Sequence, residues 1–159
     1  DAQIFPEGDR VVTLAADHRA LIWNASSGIL LTIVELWGSE PPREVRVLPG
    51  GDRILTGISG GFVDNTAVWN ATTGSLIERF ATEGKPRVFA LSPCGEKLVT
   101  LSISPASDLL VWDIATGTLE RSLAAAVRAP TAITTSEGAR TVAVSTAAGD
   151  VRVFRGDES

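Results

Sequence analysis

Apolar residues in this chain come in short runs that end at turn signals. Arg53-Ile54-Leu55-Thr56-Gly57-Ile58-Ser59 and Lys97-Leu98-Val99-Thr100-Leu101-Ser102 are rich in branched residues and bounded by glycine or proline. Arg46-Val47-Leu48 and Arg87-Val88-Phe89-Ala90-Leu91 lie just before tight turns, and Leu76 to Phe80 and Leu119 to Leu123 just after glycine turns. No segment sustains the 3.6-residue period of an amphipathic helix. The pattern predicts β-strands of about five residues joined by hairpins.

The runs repeat. A tight turn recurs as Pro6-Glu7-Gly8, Pro49-Gly50-Gly51, Pro93-Cys94-Gly95 and Ser136-Glu137-Gly138, its glycines 43, 44 and 43 residues apart. An aromatic ends an apolar run at Trp23, Trp69, Trp112 and Phe154, spaced by 46, 43 and 42. A second turn follows in Ala25-Ser26-Ser27-Gly28, Ala71-Thr72-Thr73-Gly74 and Ala115-Thr116-Gly117. Three independent landmarks at one period make chance a poor explanation, and they divide the chain into units of four strands.

With Ile22-Trp23-Asn24, Val68-Trp69-Asn70 and Val111-Trp112-Asp113 closing the third strand of each unit, the chain resembles WD-repeat β-propeller blades. The fourth unit departs, with Phe154-Arg155 in place of the pair. The resemblance implies an all-β fold: a β-propeller of four-stranded antiparallel blades, four in this chain, a half or partial propeller. The blades are expected over about residues 1–42, 43–85, 86–129 and 130–159. Family blades often carry a Gly-His and a turn Asp, linked through a Ser or Thr to the Trp. Here the one histidine, His18, sits in a turn beside Asp17, and Asp64, Asp108 and Asp150 have no histidine partner. The buried polar network is therefore expected to be absent, with packing of Trp23, Trp69 and Trp112 holding the blades instead.

Relatives usually close with about seven or eight blades. The last unit reads as three strands, ending in the polar Arg155-Gly156-Asp157-Glu158-Ser159, and Ala2 to Phe5 already serves as the first strand of the first unit. Three explanations stay open: a fragment of a longer propeller, two copies closing an eight-blade ring as a homodimer through the open ends, or a self-closed four-blade ring. The chain has no methionine, which reads as a piece of something longer or as an engineered or processed product. An open arc would expose apolar sheet faces and an unpaired edge.

Charge and chemistry narrow the function. Nineteen acidic against 14 basic side chains, a formal charge of -5, argue against a nucleic-acid surface. No apolar run approaches the roughly 18 residues of a membrane span, and no leader pattern opens the chain. With the single cysteine, Cys94, this points to a cytoplasmic location. One His and one Cys cannot build a catalytic triad or a structural zinc site, and no phosphate-binding loop is present. No enzyme activity, cofactor or metal is expected. The sequons at Asn24 and Asn70 are explained by the repeat itself.

What the resemblance implies is a protein–protein interaction scaffold. Its fourth-to-first and second-to-third strand loops would share one face. Trp37 lies outside the repeating Trp position, and the loop holding Phe62 is long: proline to Trp spans 20 residues in the second unit against 17 in the first. An aromatic with arginine nearby is the composition of a binding hot spot. The expected partner face is Trp37 and Phe62 with Glu40, Arg43, Lys85 and Arg128 around them.

Overall fold

Alternation along each run builds four antiparallel sheets. The first joins β1 (Ala2–Ile4), β2 (Arg10–Ala15), β3 (Arg19–Asn24) and β4 (Leu30–Glu35) in chain order. The second joins β5 (Glu44–Val47), β6 (Arg53–Gly57), β7 (Ala67–Asn70) and β8 (Leu76–Arg79). The third joins β9 (Pro86–Leu91), β10 (Lys97–Ser102), β11 (Asp108–Asp113) and β12 (Leu119–Ala124). The fourth has three strands among the described residues, β13 (Pro130–Thr135), β14 (Thr141–Thr146) and β15 (Val151–Arg155), with a single 3-10 turn at Glu137–Ala139. The structure is a computed structural model that describes residues 1–36, 43–57, 66–80, 86–102 and 108–156. It divides into two units, one holding the first two sheets and the other the last two.

Because side chains alternate along a strand, each sheet has two distinct faces. In the first sheet, Ile4, Val11, Trp23 and Leu30 form one cross-strand row, and Ala2, Thr13, Leu21 and Ile33 the next. This is the tryptophan face. The opposite face carries Gln3, Val12, Ile22 and Thr32, then Leu14, Ala20 and Val34. The second sheet repeats the arrangement, with Val47, Ile54, Trp69 and Leu76 on its tryptophan face.

Packing follows one rule inside each unit. The opposite face of the first sheet (Val12, Ala20, Ile22, Val34) and the tryptophan face of the second (Val45, Val47, Ile54, Trp69) form one buried core with Phe5 and Leu36. In the other unit, Val99, Leu101, Leu109 and Val111 from the opposite face of the third sheet join Val142 and Val144, with Phe154 packed against them. Polar side chains reach the same way. Thr32 donates to Thr72 O at 3.1 Å, Arg10 to Gly51 O at 2.8 Å, and Arg121 to Ala139 O at 2.7 Å.

The tryptophans do more than pack, and here the sequence-based expectation needs correction. Each indole Nε1 donates to a threonine on the neighbouring second strand: Trp23 to Thr13 at 2.9 Å, Trp69 to Thr56 at 2.9 Å and Trp112 to Thr100 at 3.1 Å. The Thr–Trp half of the polar network is thus present without histidine. A buried indole N–H left unpaired would be costly, and a threonine two residues past the indole's cross-strand partner meets it on the same face. In the fourth sheet Phe154 replaces the Trp and Val144 stands at the threonine position. Donor and acceptor are lost together, so nothing is stranded.

The residue after each Trp caps the next hairpin. Asn24 Oδ1 accepts from the amides of Ser26 and Ser27, Asn70 Oδ1 from Thr72 and Thr73, and Asp113 Oδ1 from Thr116. A short acceptor side chain at this position folds the turn onto itself. Both sequon asparagines therefore have their amide oxygen engaged in the turn.

Candidate functional site

Of the six residues expected at a partner face, Trp37, Glu40, Phe62 and Lys85 lie outside the described residues. Arg43 and Arg128 are described, and both are exposed. Arg43 stands at the entry to β5, where its amide donates to Gly57 O at 3.1 Å. Arg128 stands between β12 and β13 in the other unit. The two arginines therefore mark fourth-to-first strand connections in different units.

The connection around Arg128 is pinned from both sides. Ala125 and Val127 are buried, whereas Ala126 and Ala129 are exposed. Ala126 and Ala129 adopt left-handed backbone, at φ 47° and 46°. Alanine disfavours that region by about 1–2 kcal/mol, so neighbouring contacts must hold it there. Arg152 donates to Ala126 O at 3.2 Å, and the Ala147 amide to Ala129 O at 2.9 Å. The buried alternation of Ala125 and Val127 leaves Arg128 displayed to solvent on a fixed loop.

Residues weighed for chemistry have structural settings. His18 turns the β2–β3 hairpin at φ 64°, and its carbonyl accepts the Leu36 amide. Its buried Nδ1 makes no hydrogen bond among the described residues, while Asp17 pairs with Arg19 at 3.5 Å. Cys94 lies 3.3 Å from Ser92 Oγ. The nearest candidate base in sequence, Lys97, is committed elsewhere: its ammonium bonds Asp113 at 2.8 Å and Glu120 at 2.6 Å. Among the described residues no group of three His, Cys, Asp or Glu side chains could hold a metal ion. No described helix is long and apolar enough to cross a membrane.

The Lys97 cluster gives the unit a pH response. Its hydrogen bond from Lys97, followed by those from Thr116, lowers the Asp113 pKa to about 2, from an ordinary 3.8. A carboxyl with a lowered folded-state pKa stabilises the fold above its unfolded value. That contribution is expected to be full above about pH 4 and to drain away as pH falls towards 2. Thermal melts between pH 6 and 2 should show a smaller acid loss in Asp113→Asn than in wild type.

The tryptophan face of the first sheet is uncovered: Ile4 is 64% exposed where its counterpart Val47 is 9%, and Trp23 is half-buried where Trp69 is 4% exposed. Val151 and Val153 of β15 are also exposed, at 66% and 57%. The alternation in each strand carried this information, but which face a neighbour covers is not written in a single strand.

No protein-family model matches the sequence, and no curated protein matches it. Solved structures do match by shape. The computationally designed Ika4 protein is similar at a TM-score of 0.72 and 22% identity, over 92% of this chain and 85% of that one. The Cps50 (Swd1) β-propeller domain of Myceliophteria thermophila is similar at 0.78 and 14% identity, over 99% of this chain and 53% of that one. A chain in the crystal structure of the Mitotic Checkpoint Complex is similar at 0.75 and 17% identity, over 99% of this chain and 48% of that one. This chain therefore spans about half the length of the latter two. The four antiparallel sheets, the recurring Thr–Trp bonds and these likenesses together make the fold a partial β-propeller of WD-type blades.

Proposed function

We propose that this chain is a non-catalytic scaffold for protein partners, which it holds through loops on one propeller face. The observation that carries this reading is the Arg128 connection. Buried Ala125 and Val127 and two left-handed alanines hold an arginine out to solvent, so the backbone spends conformational energy on display. Loops on a rigid hydrogen-bonded platform are a common place for recognition residues. Trp37 and Phe62, with Glu40, Arg43 and Lys85, complete the proposed face. Its partners are proteins, with no nucleic acid or membrane, in a cytoplasmic setting.

Affinity capture with the immobilised chain tests this. Trp37→Ala with Phe62→Ala, and separately Arg128→Glu, should each cut recovery of captured proteins at least about tenfold, as losing a central aromatic or arginine anchor does. Melting temperatures within a few degrees of wild type would show that folding is kept. Capture undiminished in both variants would overturn the proposed face.

A second reading is that the chain is a half-propeller that pairs with its own copy to close an eight-blade ring. What supports it is the uncovered apolar face around Trp23, which a soluble chain ordinarily buries. The similar designed chain, 85% of which is matched here, is an example of a protein of comparable size in the same fold.

A further inference from the structure

We infer that the tryptophan face of the first sheet and the opposite face of the fourth sheet are the two halves of one head-to-tail contact between copies of this chain. The inference rests on the self-pairing reading and gives it residues and a direction.

Two junctions inside the chain set the rule. The tryptophan face of the second sheet is buried by the opposite face of the first, and the corresponding face of the fourth by the opposite face of the third. Neither core pairs like with like. In both, a row of small and branched residues seats on the aromatic row of the next sheet. The repeat makes the first sheet's tryptophan face equivalent to faces that already have this occupant. Ile4, Val11, Trp23 and Leu30 match Val47, Ile54, Trp69 and Leu76 row for row.

The fourth sheet supplies the matching surface. Its opposite face carries Thr134, Ala143 and Val153 in one row, and Ala132, Ser145 and Val151 in the next. These stand where Val99 with Val111, and Leu101 with Leu109, seat the fourth sheet in the chain's own core. The rows are small, branched and free of charge. On the receiving face, the charged corner is already neutralised, with Arg19 Nε 3.3 Å from Glu35. The two rows bring no charge into the contact, Arg155 lying in the row beyond them opposite Thr141, and complementary rather than identical patches define a heterologous contact.

Single-face variants with mixing decide the matter. Light scattering over a tenfold concentration range should give wild type the mass of two chains. Ile4→Glu blocks the receiving face and Val153→Glu the donating face, both at solvent-exposed positions that match Val47 and Val111, which the internal junctions bury. Each alone should weaken association by roughly a hundredfold, the effect of forcing a carboxylate into an apolar contact. Mixed in equal amounts they should regain two-chain species, because one copy keeps a sound donor and the other a sound receiver. Far-UV circular dichroism checks each fold, and Ala2→Lys with Val151→Lys serves as a second pair on the same faces, Ala2 matching the buried Val45 of the second sheet. Recovery on mixing that neither variant shows alone supports the contact. A Val153→Glu chain that still pairs fully would overturn it while leaving self-pairing intact, through like-on-like contact. No recovery on mixing would overturn it as well. A wild-type monomer across the range would remove both the contact and the self-pairing reading.

Discussion

Trp69→Ala is expected to cost about 4 kcal/mol of stability, the range seen when a buried aromatic is cut back to alanine. Two losses add. The indole is 4% exposed and belongs to the core that the first and second sheets share, so its removal leaves a cavity in the cluster that includes Val12 and Ile22. It also strands the Thr56 hydroxyl, which is 1% exposed and accepts the indole N–H at 2.9 Å. The two terms separate in a cycle. Trp69→Phe keeps much of the apolar volume but leaves Thr56 without its donor, and should cost about 2 kcal/mol. Adding Thr56→Val copies the Phe154 and Val144 pair of the fourth sheet and should return about 1 kcal/mol. Urea unfolding of the four chains measures the coupling. Strict additivity of the two changes would mean that the Thr56 bond carries no stability.

Gly74→Ala should be the second severe change, at about 3 kcal/mol. Gly74 turns the β7–β8 hairpin at φ +73°, a region that costs alanine about 1 kcal/mol or more. An added Cβ would also lie 2.6 Å from the carbonyl oxygen of Ile33, backbone of the first sheet that cannot swing aside. Gly28 is the control. It occupies the equivalent turn of the first sheet at φ +69°, with open space around the added carbon. Gly28→Ala should therefore show only the conformational part, about 1 kcal/mol. Thermal unfolding of the two variants gives the difference directly. Equal losses would mean that the neighbouring sheet yields to the methyl group.

Much of the fold was legible because its signals are local. The Trp-Asn and Trp-Asp pairs recur because a short polar acceptor must fold the following turn, a need met within four residues. The Thr–Trp bonds were legible in principle. Thr13, Thr56 and Thr100 stand 10, 13 and 12 residues before their tryptophans, and the spacing varies only with hairpin length. They were missed because a side-chain pair is defined by register, which the hairpin loop sets. The ion pair of Lys97 with Glu120 shows the same limit. Glu120 occupies the extra residue of a bulge between β11 and β12, where the other sheets have Leu31 and Ile77. Alternation alone does not place a bulged residue.

The candidate surface divides on the same line. Arg128 was picked from sequence as a charge in a connecting loop, and composition sufficed for that. That Ala126 and Ala129 hold it out in left-handed backbone comes from bonds reaching in from Arg152 and Ala147, residues 26 and 18 positions away. By itself, then, the sequence determined the strands, the turns, the four-fold repeat and the absence of a long helical period, since each is a matter of neighbours along the chain. Only the tertiary structure decided which face of each sheet is covered and which is left bare. Both faces of a blade alternate alike, and burial depends on what a separate sheet brings against them.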